Sequence, residues 1–585
     1  MISDRVVVRS GRCSGLGRSA IYTMSVPLRL ALGATPPAAV SALDARSFGA
    51  KGDGVTDDTA AVQAALDACS GQGGGIVLLP RDVYAVRGCV TIPEYVMLQG
   101  ISGGPAARSE HKGSVLLAYA GRGDEDGAPF LTMKTGAGVR GLAIQYPEQT
   151  GKDVVPYPWC IAGAGEDISI IDCLLVNPYR GIDVGSQGCP RHFISRLYGY
   201  PLRCGIFVDQ CFDIGRIENV HLWPFWRTAE NPAKVRSYVQ AHGEAFVFAM
   251  TDWEYVLNTF CWGYRYGYRF TENGRGVCNG NFLGIGADAC NASVLIDNCA
   301  AYGLLITNGE FVALQGRHPT QIVVGPENSG SIQFSNCAFW GPSYQCARVE
   351  GKGYVSFHQC HFLEWDFEEG TAPGVDVHSG MVSIQGCRFG KGAQSVRLGK
   401  AVRCGVITGN LFAAKDAVHI EEGATATVEA NGFEAPPAEP IAGSKVISVL
   451  GPHVRLRGEW WDYAGRGTYV GVAYFSVYPE SIASFTWRLD VKSQGKYTLL
   501  AWLPKWVAPV RGEGHALYRV YHAAGDTRVE IIQSEHAESW VDLGQYTFDS
   551  DSRVMLENPV GSVVLADCLL LTPAVRASSH RAPPQ

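Results

Sequence analysis

A short phrase recurs through the middle of this chain and restricts its fold more than any other feature. The clearest copies occupy 332–339 around Cys337, 355–362 around Cys360 and 382–389 around Cys387. Weaker copies occupy 168–175 around Cys173, 294–301 around Cys299, 405–412 around Asn410 and 426–433 around Asn431. In each, apolar residues alternate for two positions, a small polar residue or Cys follows, and another apolar residue comes two places on. From Cys337 onward the steps are 23, 27, 23 and 21 residues. Short alternating strands repeated at such a period mark a solenoid. One coil cannot bury its own inward face, so neighbouring coils must stack to make a continuous core. The Cys or Asn at the fixed point is then expected to form a column, with Asn satisfying turn backbone groups and Cys filling the place as a small hydrophobe.

A chain of 585 residues is too long for one ordinary domain, but a solenoid escapes that limit because each coil meets only its neighbours. The 70 glycines and the 18% of charged residues suit tight turns between short strands and are far from a disordered composition. A net charge of −7 gives no global basic footprint for nucleic acid, although a local basic groove for an acidic polysaccharide stays compatible with it. No Cys/His group has zinc spacing, so no metal and no cofactor is expected. Many of the 18 cysteines fall in the repeat column and read as buried thiols, while a bridge among Cys189, Cys204 and Cys211 stays open. No apolar run reaches the ~18 residues of a membrane span. Residues 1–42 read as a leader: Arg5, Arg9, Arg12 and Arg18, then a weakly apolar stretch ending in small residues at Ala42. That reading places the protein outside the cell or in the periplasm, with a disordered N-terminus as the alternative.

The stretch from Asp44 to Asp58 leads into a predicted helix over 59–69, capped by Asp57 or Asp58, with Val62, Ala65, Leu66 and Cys69 as its apolar stripe. Gly73, Gly74 and Gly75 break the chain before a buried strand at 76–79. The run Phe48-Gly49-Ala50-Lys51-Gly52-Asp53-Gly54 with Thr56-Asp57-Asp58, and Gly74-Gly75-Ile76-Val77-Leu78-Leu79-Pro80 with Tyr84, resembles the entrance of the pectate-lyase-like superfamily, which includes rhamnogalacturonase and polygalacturonase relatives. The resemblance implies a right-handed parallel β-helix whose open end a helix covers. Two Gly-rich, charged insertions at 102–112 and 120–129 precede about eleven coils that run from Val139 to Phe433. Residues 435–444 read as a Pro-rich linker, and 445–573 as strands of an antiparallel sandwich. The runs 497–504, 521–527, 540–548 and 564–568 resemble a golvesin C-terminal-type jelly roll, which implies a carbohydrate-associated accessory domain. The expected fold is all-β: a parallel β-helix over 43–434 with an N-terminal helical cap, a C-terminal jelly-roll β-sandwich over 445–573, and a disordered tail at 574–585.

The most unusual stretch, 221–268, breaks the repeat with a dense set of aromatics and carboxylates. Aromatic faces stack on sugars, so His221, Trp223, Trp226, Trp253, Tyr264 and Arg265 are the expected substrate-binding residues. Hydrolysis of a glycoside needs two carboxyls across the scissile bond, for which Glu244, Asp252 and Glu254 are the candidates, with Asp209 one coil back as a reserve and Asp183 as a weaker one. The polygalacturonase signatures Asn-Thr-Asp, Asp-Asp, Gly-His-Gly and Arg-Ile-Lys are absent from the corresponding places, so the resemblance assigns no catalytic role. The first expectation is a glycoside hydrolase acting on a polysaccharide. The second is a polysaccharide lyase on a uronate polymer, using Arg203, Arg265 or Arg269 with Tyr264. The third is a non-catalytic glycan-binding surface protein. Assembly into a homotrimer stays open.

Overall fold

A computed structural model describes residues 42–574, except 105–112, 225–230, 368–369, 392–393, 435–439, 465–466, 477–481, 506–512 and 560. The leader, the insertion at 102–112 beyond its first residues, most of the linker and the tail therefore lie outside the described residues.

The chain winds into a parallel β-helix. Its strands form one sheet of 15 and another of 26, parallel throughout, because each strand pairs with its equivalent on the next coil. Phe334 pairs with Phe357, Phe357 with Ile384, and Ile384 with Ile407, all in register. Inward side chains consequently stack on like side chains. Phe339, Phe362, Phe389 and Phe412 form a ladder of rings with centroids 4.6, 4.6 and 4.9 Å apart. All four are buried, and burying each apolar ring contributes ~1.5–3 kcal/mol.

The expected column is present from Cys337 to Asn431, but Cys299 stands outside it: Leu304 pairs with Ile332 and Glu310 with Ala338, so Gly309 holds the place on the preceding coil. Cys337, Cys360, Cys387 and Asn410 are all about 2% exposed. The backbone N–H of Cys387 donates to Asn410 Oδ1 at 2.8 Å, and that of Asn410 donates to Asn431 Oδ1 at 2.9 Å. Asn410 Nδ2 donates to Ile384 O at 2.9 Å. Where Cys replaces Asn, the thiol does the same task more weakly: Cys387 Sγ lies 3.3 Å from Phe357 O and 3.4 Å from the Cys360 N–H. The residue just before the column turns the corner in the left-handed region: φ is 55° at Asn308, 53° at Asn336, 53° at Gln359, 64° at Gly386 and 67° at Gly409. Asn and Gly tolerate that conformation best. Cys189, Cys204 and Cys211 are free thiols, so the bridge left open above does not form.

Helix α1 (Thr59–Gly71) caps the solenoid and buries the four residues expected, Val62, Ala65, Leu66 and Cys69. The Asp57 carboxylate accepts from the Thr59 N–H at 3.0 Å. Asp58 instead accepts from the N–H groups of Lys51 and Gly52, tying the entrance loop to the helix start. A second helix, α2 (Pro232–His242), lies within the stretch 221–268 that breaks the repeat; Asn231 caps it and only its Val235 and Val239 are buried.

The strands from Lys445 to Pro573 are antiparallel and form sheets of four, five and three around a separate core that includes Tyr474, Phe485, Trp487 and Tyr518. Phe367, from a loop of the β-helix, joins that core with its ring 5.3 Å from Tyr474. Lys391 Nζ lies 4.0 Å from the Phe367 ring centroid and donates to Asp366 O at 2.9 Å, while the Leu456 N–H donates to Phe367 O at 2.9 Å. Among the described residues no helix is long and apolar enough to cross a membrane.

Candidate functional site

Parallel register decides which side chains meet on the outside of the 15-stranded sheet. Strands His221–Leu222, Phe260–Trp262, Gly286–Cys290 and Glu310–Ala313 are neighbours there. His221 pairs with Phe260, Phe260 with Gly286, and Gly286 with Glu310; two residues along the same strands, Trp262 pairs with Asp288. Trp223 extends the face, its ring 5.1 Å from Trp262. A side chain at Gly286 would come within 2.8 Å of the Phe260 ring and 3.2 Å of Glu310 Cγ, so glycine keeps that place clear.

The sandwich closes over this face. A cleft of about 290 Å³ separates them, with Trp262 and Ala289 on the solenoid side, Arg236 and Gln240 from α2, and Glu459, Trp460 and Trp461 on the sandwich side. Glu459 is the carboxyl that lines it, and Asp288, Glu310 and Asp462 lie nearby, close enough for the last two to act on the first. Burial pushes Asp288 up to about 7, and the charges of Glu310 and Asp462 add to the rise. Burial also pushes Asp462 up to about 6 and raises Glu310 and Glu459; at Glu459 the Arg236 charge works against the rise. Glu364, fully buried, is pushed up to about 8 by burial, with Asp462 adding. His221 is lowered by burial and stays neutral near pH 7. Tryptophan faces beside carboxyls that titrate near neutrality mark a site able to hold a sugar and move protons.

The residues expected from sequence scatter over several places. His221 and Trp223 do stand on this face. Glu244 stands on the other sheet, 12% exposed, with Arg269 Nη1 3.0 Å and Arg203 Nη1 3.9 Å away; Arg269 also holds Asp297 at 2.9 Å. Glu254 is 0% exposed and its Oε1 lies 3.0 Å from His192 Nε2, so it does not face a polymer at the surface. Asp209 is also enclosed, accepting from the N–H groups of Gln210 and Met250 and from Asn273 Nδ2. Asp252 is exposed at a corner beside half-buried Trp253, whose φ is 63°. Tyr264 is buried and donates to Pro201 O at 2.9 Å, which removes it from any surface groove. Arg265 is exposed and lies 4.6 Å from the Tyr266 ring centroid. Trp226 lies outside the described residues. Sequence reasoning missed Asp288 and Glu310, although both follow Trp262 and Phe260 in register on the next coils. It also missed Asp462, because no spacing within the repeat links a sandwich strand to a solenoid face.

Residues 42–121 match the family model described as "Rhamnogalacturonase A/epimerase, pectate lyase-like", and residues 448–573 match "Golvesin C-terminal domain". Two curated relatives from Azotobacter vinelandii match over short stretches. Mannuronan C5-epimerase AlgE4 is 43% identical over 102 residues, 15% of this chain and 18% of the relative. Alginate lyase 7 is 60% identical over 43 residues, 7% of this chain and 5% of the relative. The chain thus spans less than a fifth of the length of these relatives. The solved A-module of the Azotobacter vinelandii epimerase AlgE6 superposes on 67% of this chain and 100% of its own length, with a TM-score of 0.45 at 16% identity.

Proposed function

We propose that this chain, a pectate-lyase-like β-helix joined to a golvesin C-terminal domain, modifies a uronate-containing polysaccharide by removing the proton next to the uronate carboxylate. The observation that carries the reading is the set of mutually interacting carboxyls Asp288, Glu310 and Asp462, with Asp288 in register beside Trp262 of the cleft that Trp460 and Trp461 also line. The relatives reported above are named an epimerase and a lyase, and their names favour this chemistry over hydrolysis of the glycosidic bond. The partition at 43–434 and 445–573 is part of the same proposal.

Both lyase and epimerase chemistry begin with one difficult step, loss of a C5 proton beside a carboxylate whose negative charge opposes it. Asp288, protonated near neutral pH, would donate a hydrogen bond to that carboxylate and draw off its charge. Glu310, an exposed carboxylate two coils on from Phe260 in register, would take the C5 proton. If the C4–O bond then breaks, a C4=C5 double bond forms and Asp462 gives its proton to the leaving oxygen. If the bond holds and a proton returns to C5 on the opposite face, the sugar is epimerised. Arg236 is placed to grip a neighbouring uronate with two bonds.

The test uses mannuronate, guluronate, galacturonate and glucuronate polymers in D2O. Ultraviolet absorbance reads the new double bond, and NMR reads deuterium at C5. Asp288→Asn and Glu310→Gln are each expected to lower the rate about 10²-fold or more, with Glu244→Gln as a comparison on the other sheet. New reducing ends without absorbance or deuterium would restore the hydrolase. Binding without any product would leave a glycan-binding protein.

A further inference from the structure

We propose that His192, Cys211 and Glu254 form a site for a divalent transition-metal ion, zinc by the chemistry of its donors, inside the solenoid. The three are fully buried, and their ligand atoms all lie within 4.8 Å of one another. They are far apart in sequence, which is why no spacing announces them. Register brings them together. Phe193, Arg216 and Tyr255 pair on three successive coils, so the residues just before them, His192, Gly215 and Glu254, occupy equivalent places.

The middle coil contributes no side chain to that row. A Cβ placed on Gly215 would sit 2.2 Å from His192 Cε1 and 2.5 Å from both His192 Nε2 and Glu254 Oε2, so only glycine lets the ring and the carboxylate come together there. Cys211 approaches from the same middle coil, which leaves its thiol as that coil's contribution. His192 Nδ1 is 2.8 Å from Cys189 O, an arrangement in which Nδ1–H donates and the neutral ring turns its Nε2 lone pair to Glu254 Oε1, 3.0 Å away, two electron-rich atoms that a cation would bring together. Glu254 Oε2 is buried with no hydrogen-bond partner, although a buried carboxylate oxygen ordinarily has one. Cys211 Sγ lies 3.9 Å from His192 Nδ1 and now donates to Asp213 O at 3.1 Å. On metal binding that thiol loses its proton to solvent, and a 2+ ion with one thiolate and one carboxylate is neutral overall, as an apolar interior requires. The buried setting implies that the ion enters as the chain folds.

The test is direct metal analysis of the full chain purified from cells grown with added zinc. About one zinc per chain is expected, falling about tenfold in Cys211→Ser. The same chain produced with cobalt should show a thiolate-to-cobalt charge-transfer band, which needs no variant and therefore still decides if Cys211→Ser fails to fold. A wild-type chain free of zinc, zinc that stays at full stoichiometry in a folded Cys211→Ser protein, or cobalt bound without the thiolate band would each overturn the proposal and leave a buried imidazole–carboxylate pair.

Discussion

Asp288 shows how a single residue ties stability to chemistry. Unfolded, its carboxyl would lose its proton near the ordinary 3.8; folded, it holds the proton to about 7. Between those values the folded state binds more protons than the unfolded one, so stability falls as pH rises through the window. Asp288→Asn removes that slope. The variant should exceed wild type in stability by ~1–3 kcal/mol at pH 8, with the difference closing below pH 4, as read by urea denaturation at both values. Activity should run the same way: if Asp288 acts as the acid, the wild-type rate declines as pH passes about 7. The sequence alone could not supply this residue. Asp288 keeps its proton to near neutrality because of the enclosure around it, whereas Glu254, an ordinary carboxyl on paper, is folded into the interior beside His192.

At the scale of elements, the corner column was legible because its chemistry repeats at a fixed place. Asn410 both donates to Ile384 O and accepts from Cys387, so Asn410→Ala should cost about 1–3 kcal/mol, and Asn410→Cys less, because Cys fills the same place on neighbouring coils. Thermal melts of the two variants side by side read the difference. Ala430 turns its corner at φ 54° without the side chain suited to it. Ala430→Asn should therefore raise stability by roughly 0.5–1 kcal/mol, since the left-handed region is costly for alanine. Helix α1 was legible from its apolar stripe. Helix α2 was not, because its residues are mostly polar and only two valines in eleven are buried, so the segment resembles a surface loop.

For the whole molecule, the repeat showed a solenoid and the alternating strands showed a sandwich, but nothing in either pattern said how the two dock. Docking rests on contacts with no period: Phe367 entering the sandwich core, and Lys391 holding the loop beneath it. Phe367→Ala should cost about 3–5 kcal/mol at the junction and lower activity, while circular dichroism still reports an all-β protein. Calorimetry should then resolve two transitions where wild type shows one.

The cleft has one wall on the solenoid and one on the sandwich, and the proposed chemistry is divided in the same way. Asp288 and Glu310 stand on coils, Asp462 on a sandwich strand. On the proposed mechanism, a chain ending before Trp460 would retain Glu310 to take the C5 proton and lack Asp462 to protonate the leaving oxygen. Such a fragment would hold the polymer through Trp262 yet stall after the first transfer, so the accessory module would supply half of the turnover as well as an anchor on the substrate.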